Sequence, residues 1–149
     1  MSAETDLIKL YSGRILELAA DIPLTERLDV PDATVKKRSP LCGSSVTIDL
    51  SMSGGTVSAF GQDVKACALG QAAASVVGGA VLGRTRAELT QARDALRALL
   101  KGSEVVPAAP FDGFEVFLPA SAYKNRHASI LLSIEAAVEA ADQIESATA

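Results

Sequence analysis

Tryptophan is absent from this sequence, histidine occurs once, cysteine twice, and the aromatic side chains are two tyrosines and four phenylalanines. With so few rings and a formal net charge of -4, the chain offers neither stacking surfaces nor a basic field, and nucleic acid is not an expected partner. Small molecules, metals and other proteins are left. Two cysteines do not make a disulfide framework in a chain of 149 residues, so their positions matter more than their number. No basic flank leads into an apolar run at the start, where Glu4 and Asp6 precede Leu7; no signal peptide is expected, and the protein is assigned to the cytoplasm. Charge is missing altogether from residues 66–83, ACALGQAAASVVGGAVLG, a run long enough to raise the question of a membrane span. Four glycines, Gln71, Ser75 and many alanines leave too little transfer free energy for insertion, whereas small residues suit a buried helix packed closely on its neighbours. No membrane association is expected.

What the chain does have is apolar mass. At 48% hydrophobic over 149 residues it can bury one ordinary core and is too short for two, so residues 1–149 are read as a single domain. Leu7, Leu10, Tyr11, Ile15 and Leu18 recur at helical spacing, with Ser2 as a cap. Pro23 and Pro31 punctuate a loop before a short extended stretch at 33–37. Val46, Ile48 and Leu50 alternate with Thr47, Asp49 and Ser51, and Gly54-Gly55 separates them from TVSAF, which reads as a hairpin. Cys67 opens the uncharged stretch, a predicted buried helix ending near Gly83. Thr85 and Glu88 form a capping-box pattern, and Leu89, Ala92, Leu96 and Leu99 continue it as a helix to Lys101-Gly102. SEVVPAAPFDG, with two prolines and no period, reads as a surface connection. A last helix begins near Asn125 or Arg126, with Ile130, Ile134, Val138 and Ala141 on one face and Glu135, Glu139 and Asp142 on the other. The expected fold is α+β, a small antiparallel sheet of about three strands packed against several α-helices.

Two enzyme-like patterns dissolve on inspection. GGAVLGRT at 78–85 imitates a phosphate-binding loop, but Arg84 stands where lysine is required and a helix, not a strand, leads in. No GxSxG occurs, and no serine is singled out as a nucleophile. The basic run Lys36-Lys37-Arg38 reads as a solvated strand end, with a second role open as a contact for an acidic protein partner. Cys42 lies in a Pro-Leu-Cys-Gly turn before a strand, and Cys67 at the start of a helix whose free amides favour a thiolate. Spacing alone slightly favours reading both cysteines as small buried hydrophobes, and His127 as an ordinary lone histidine.

The words around these residues are more specific. SPLCGSSVTIDL at 39–50 resembles the first cysteine motif of the NifU, IscU and SufU scaffolds, and KACALGQAAASVVGGAVLGRT at 65–85 resembles the second. LYSGRIL at 10–16 is similar to the opening helix of that family, and KNRHASILLSIEAAVEA at 124–140 to its third motif. The resemblance implies a non-enzymatic scaffold or carrier for iron-sulfur cluster assembly, whose motifs meet at one exposed end. It would hold iron or a cluster, most simply [2Fe–2S], at Cys42, Cys67 and His127, and work with a cysteine desulfurase and acceptor apoproteins. The pattern is broken twice: Ser44 stands where the family carries aspartate, and the third cysteine is missing. In one alignment Ala128 replaces that cysteine beside His127; in the other His127 itself replaces it.

These substitutions alter the expected chemistry. Two thiolates and an imidazole suit zinc or an iron-sulfur centre and leave one position open, for which the Ser44 hydroxyl is a poor candidate. Imidazole in place of thiolate removes a negative charge and raises a cluster's reduction potential; it must be neutral to bind, so binding becomes acid-sensitive. In the family the third cysteine resembles a persulfide acceptor for the desulfurase, so its loss puts de novo assembly in doubt and leaves two readings open: Cys42 or Cys67 takes over that task, or the protein carries a finished cluster. Three alternatives stay open: a zinc-bound sulfur-relay partner of the desulfurase, a domain whose site has decayed and which acts as an interaction module, and a homodimer in which two chains supply four thiolates.

Overall fold

A computed structural model describes residues 12–40 and 43–148. Helix α1 (Gly13–Ala20) is followed by strands β1 (Ala33–Arg38), β2 (Ser45–Ser53) and β3 (Thr56–Lys65). Helices α2 (Ala68–Ala80) and α3 (Arg86–Leu100), a 3-10 segment (Asp112–Ala122) and a long helix α4 (Lys124–Thr148) complete the chain. The strands form an antiparallel sheet in the order β1-β2-β3, so the α+β architecture expected from the sequence is the one observed. The Ser2 cap and the helical positions Leu7, Leu10 and Tyr11 lie outside the described residues; within them, α1 is capped by Ser12, whose Oγ accepts from the Ile15 N–H at 3.4 Å.

The β2–β3 hairpin follows from local chemistry. Gly54 and Gly55 adopt φ of +62° and +82°, a conformation that glycine enters freely and that matches the twist of the flanking strands. Val46, Ile48, Leu50, Val57 and Phe60 are buried, facing the helices. The register pairs Ile48 with Gln62 and Leu50 with Phe60.

Part of the opposite face of the sheet, around Asp49 and Gly61, is also covered, which alternation alone does not predict. Residues 21–32 form a strap around the β3 edge. The Gln62 N–H donates to the Leu24 carbonyl at 2.9 Å, and the Gln62 side-chain amide donates to the carbonyls of Pro23 and Ala74. The strap then crosses the outer face so tightly that a Cβ at Gly61 would overlap the Glu26 carbonyl oxygen. It is fastened at Asp49, which the sequence pattern placed on a solvated face and which is in fact fully buried. Its carboxylate accepts from Arg27 Nε at 2.5 Å and Nη2 at 3.1 Å, from the Leu28 N–H at 3.0 Å and from the Thr34 hydroxyl at 2.7 Å.

Helix α4 is central, packing against α2, α3, β1, β2 and the 3-10 segment. Leu132, Ala136, Ala137 and Ala140 are buried along with the expected face of Ile130, Ile134, Val138 and Ala141. The acids expected on its solvated side sit at the rims and pair across them, Glu139 with Lys37, Asp142 with Arg86 and Glu135 with Arg97. The capping box of α3 is formed, Thr85 Oγ1 accepting from the Glu88 N–H and the Glu88 carboxylate from the Thr85 N–H. The largest departure from expectation follows the 103–113 connection. Phe111, Phe114, Phe117 and Ala120 are all buried, every third residue, as the repeat of a 3-10 helix requires.

The uncharged run ends its helix at Ala80, so α2 has 13 residues and a length of about 20 Å. No helix of the described residues is long and apolar enough to cross a membrane.

Burial pushes the Asp49 carboxyl up, but the Arg27 guanidinium, the Thr34 hydroxyl and the Leu28 N–H together hold it below the ordinary carboxylate range. A carboxyl that titrates lower folded than unfolded contributes stability that is fully present above its unfolded pKa of about 3.9 and lost as pH falls through the folded value. Asp49→Asn is expected to cost about 2 to 3 kcal/mol at pH 7 in urea denaturation. The gap to the wild type should narrow as pH is lowered through the carboxylate range; a gap constant with pH would contradict the role assigned to the charge.

Candidate metal centre

The turn between β1 and β2 is closed at its base. The Ser39 N–H donates to the Ser44 carbonyl at 2.8 Å and the Gly43 N–H to the Ser39 carbonyl at 3.1 Å. Gly43 has φ +70°, a left-handed conformation that a residue with a Cβ adopts at a cost. Cys42 sits in this turn, and it and Leu41 lie outside the described residues. The flanking Ser39 and Ser44 are buried.

Cys67 is the N-cap of α2 and is partly exposed. Its carbonyl accepts the first helical bond from the Gln71 N–H at 2.9 Å. Its side chain makes no capping bond and turns toward α4, where Sγ lies 3.3 Å from Ser129 Oγ. The Cys67 N–H donates to Ser44 Oγ at 3.4 Å, and Ser129 Oγ donates to Ser44 Oγ at 3.2 Å. Three segments far apart in sequence thus join through two hydroxyls and a thiol. Their closeness depends on Gly70, where a Cβ would lie 2.7 Å from Ser129 Oγ and 2.8 Å from Ala66 Cβ.

His127, in the first turn of α4, is engaged elsewhere. Its Nε2 lies 2.8 Å from the Ala120 carbonyl at the end of the 3-10 segment. A carbonyl oxygen only accepts, so Nε2 carries the hydrogen and Nδ1 keeps the lone pair of the neutral ring. His127 precedes Ser129 by two residues, roughly 200° around the helix, and it lines an open cavity with Gly102, Ser121 and Lys124 that Cys67 does not share. The structure therefore brings Cys67 together with Ser44 and Ser129, while His127 Nε2 is bonded to the Ala120 carbonyl. Among the described residues no group of three His, Cys, Asp or Glu side chains is gathered closely enough to hold a metal ion; Cys42 lies outside that set.

Ser129 and Gly70 were not singled out by sequence reasoning. The one available signal was the serine in RHASIL, which nothing local distinguishes from any other helical serine. Ser44, considered as a weak ligand, has its hydroxyl oxygen taken up by the Cys67 N–H and by Ser129.

Among solved structures, the chain is similar to the N-terminal part of a nitrogen-fixing NifU-like protein from Brucella abortus. The two share 42% identity over 95% of this chain and 98% of that one, with a TM-score of 0.92. The chain belongs to the U-type iron-sulfur scaffold family. The U-type fold extends to more distant structures: a hypothetical protein solved at 2.3 Å, with 18% identity, 91% of this chain and 98% of that one covered and a TM-score of 0.81. A third is a protein assigned as an iron-sulfur cluster assembly scaffold of the SUF system from Fervidobacterium islandicum, with 18% identity, 89% and 96% coverage and a TM-score of 0.76. At that identity these two speak for the fold alone. No family model matches the sequence, and no curated protein matches it.

In this U-type chain the glycines of α2 separate by role. Gly70→Ala is expected to destabilise the protein by about 1 to 3 kcal/mol through overpacking against Ser129. Gly79, where a Cβ would meet nothing within 4 Å, is expected to gain about 0.5 to 1 kcal/mol on conversion to alanine. Thermal or urea unfolding of the two variants checks the opposite signs.

Proposed function

We propose that this protein is a non-enzymatic iron-sulfur scaffold or carrier. It holds iron or a cluster, most simply [2Fe–2S], at Cys42, Cys67 and His127 and passes it to acceptor apoproteins, in the cytoplasm and alongside a cysteine desulfurase. The observation that carries this reading is the meeting of the Ser39–Ser44 turn with the start of α2, where Ser44 Oγ accepts from the Cys67 N–H. Ser44 follows Cys42 with only Gly43 between them, so the only two thiols of the chain belong to segments that touch. Two unrelated core cysteines would not need that meeting at a partly exposed edge.

The donor set suits the cargo. Thiolates and imidazole are the ligands of iron-sulfur and zinc centres. No acidic residue stands in the first turn of α2, next to Cys67. His127 would bind through Nδ1, with Nε2–H held by the Ala120 carbonyl; histidine ligands commonly present this arrangement, the second ring nitrogen fixing tautomer and orientation. With three protein donors the cargo keeps an exchangeable position, which suits transfer better than storage. Neither His127 nor Ala128 can accept persulfide sulfur, so receipt of a preformed cluster fits these two positions better than de novo assembly fed by a desulfurase.

Anaerobic purification tests the reading. Brown protein containing iron and labile sulfide is expected, with both lost in Cys42→Ala and in Cys67→Ala. Colourless protein with stoichiometric zinc would favour the sulfur-relay alternative, and metal content untouched by either substitution would mean a decayed site.

A further inference from the structure

The Cys67 sulfur does not stand alone at the head of α2: it ends a line of hydroxyls running through Ser129 to Ser44, with Sγ–Oγ and Oγ–Oγ separations of 3.3 Å and 3.2 Å. Both serines are buried, Ser44 at 3% and Ser129 at 1% exposure, so neither hydroxyl can turn to bulk water. Ser44 is further anchored as acceptor of the Cys67 N–H. The space that Ser129 occupies exists only because Gly70 lacks a Cβ.

From this geometry we infer that Ser129 is a positioning residue for Cys67, its hydroxyl donating to the cysteine sulfur when that sulfur binds metal, with Ser44 supporting it from behind. The inference rests on Cys67 being a metal ligand, as proposed above. A metal-bound sulfur has no hydrogen and can only accept, so the hydrogen between Cys67 and Ser129 must come from serine. The Ser129 oxygen is then free to accept from Ser44. With the Cys67 thiol protonated, the Ser129 hydroxyl points the other way, donating to Ser44. Loading therefore turns the Ser129 hydroxyl hydrogen from Ser44 to the sulfur without displacing a heavy atom. The bond fixes the side-chain direction of Cys67 and withdraws electron density from its sulfur, the means by which hydrogen bonds to ligand sulfurs tune a metal centre.

Cobalt(II) is a suitable probe, because its sulfur-to-metal charge-transfer band reports the electron density on the thiolate directly. In Ser129→Ala the band is expected to move to lower energy and cobalt affinity to fall about 10- to 100-fold. Ser44→Ala should shift the band in the same direction by less, since Ser129 keeps its bond to sulfur and loses only the donor behind it. A serine with a merely structural role would lower the melting temperature and leave the band in place. An unmoved band in cobalt-loaded Ser129→Ala overturns the inference alone, leaving the metal-site reading intact. Should Ser129→Ala not fold, Ser44→Ala decides the matter in the same way, a shifted band supporting the role and an unshifted one overturning it. Wild-type protein that shows no cobalt–sulfur band overturns the metal-site reading and this inference together.

Discussion

The structure depends on the close approach of α2 and α4 at Gly70. Where other helix pairs keep side chains between their axes, here the missing Cβ of Gly70 leaves room for the Ser129 hydroxyl, and α4 lies directly against the head of α2. Protein interiors transmit such contacts because they are packed to crystalline density. Helix α4 touches the sheet, α2, α3 and the 3-10 segment, so its position sets where each of them can rest. The alanine-rich, uncharged run that looked like a membrane span is the same feature seen from the sequence: small residues permit close contact between helices in water as they do in lipid.

A second constraint holds the opposite side. The strap of residues 21–32 covers the middle of the outer face of the sheet, and Asp49 fastens it with three hydrogen bonds, two from the Arg27 guanidinium and one from the Leu28 N–H, beside a fourth from Thr34 of β1. Removing one partner of a buried, fully bonded carboxylate is costly because the remaining donors lose their acceptor. The paired β1 and β2 strands fix the base of the turn between them, closed by Ser39 and Ser44. The turn carrying Cys42 is thereby delivered to the head of α2. Local chemistry builds the frame, and the frame brings the two cysteine-bearing segments together.

Much of this was legible locally. The alternation of Val46, Ile48 and Leu50, the Gly54-Gly55 turn and the Thr85/Glu88 box are signals whose cause and effect lie within a few residues. The buried state of Asp49 was not legible, because the cover that buries it comes from a strap with no period of its own. The 3-10 segment was missed because Phe111, Phe114 and Phe117 repeat every three residues, a spacing that fits neither helix nor strand templates, and because prolines nearby read as loop. For the candidate site, the family motifs pointed to Cys42, Cys67 and His127, while Ser129 was invisible: its contact with Cys67 spans 62 residues. The bond of His127 to Ala120 could be seen only in three dimensions.

If Cys42 and Cys67 hold one metal-bearing group, sulfur atoms must lie at the metal. X-ray absorption spectroscopy of the zinc- or iron-loaded protein addresses this directly. A sulfur shell is predicted at about 2.3 Å from the metal, accompanied by lighter donors that include imidazole. A spectrum fitted by nitrogen and oxygen neighbours alone, with no sulfur shell, would contradict it.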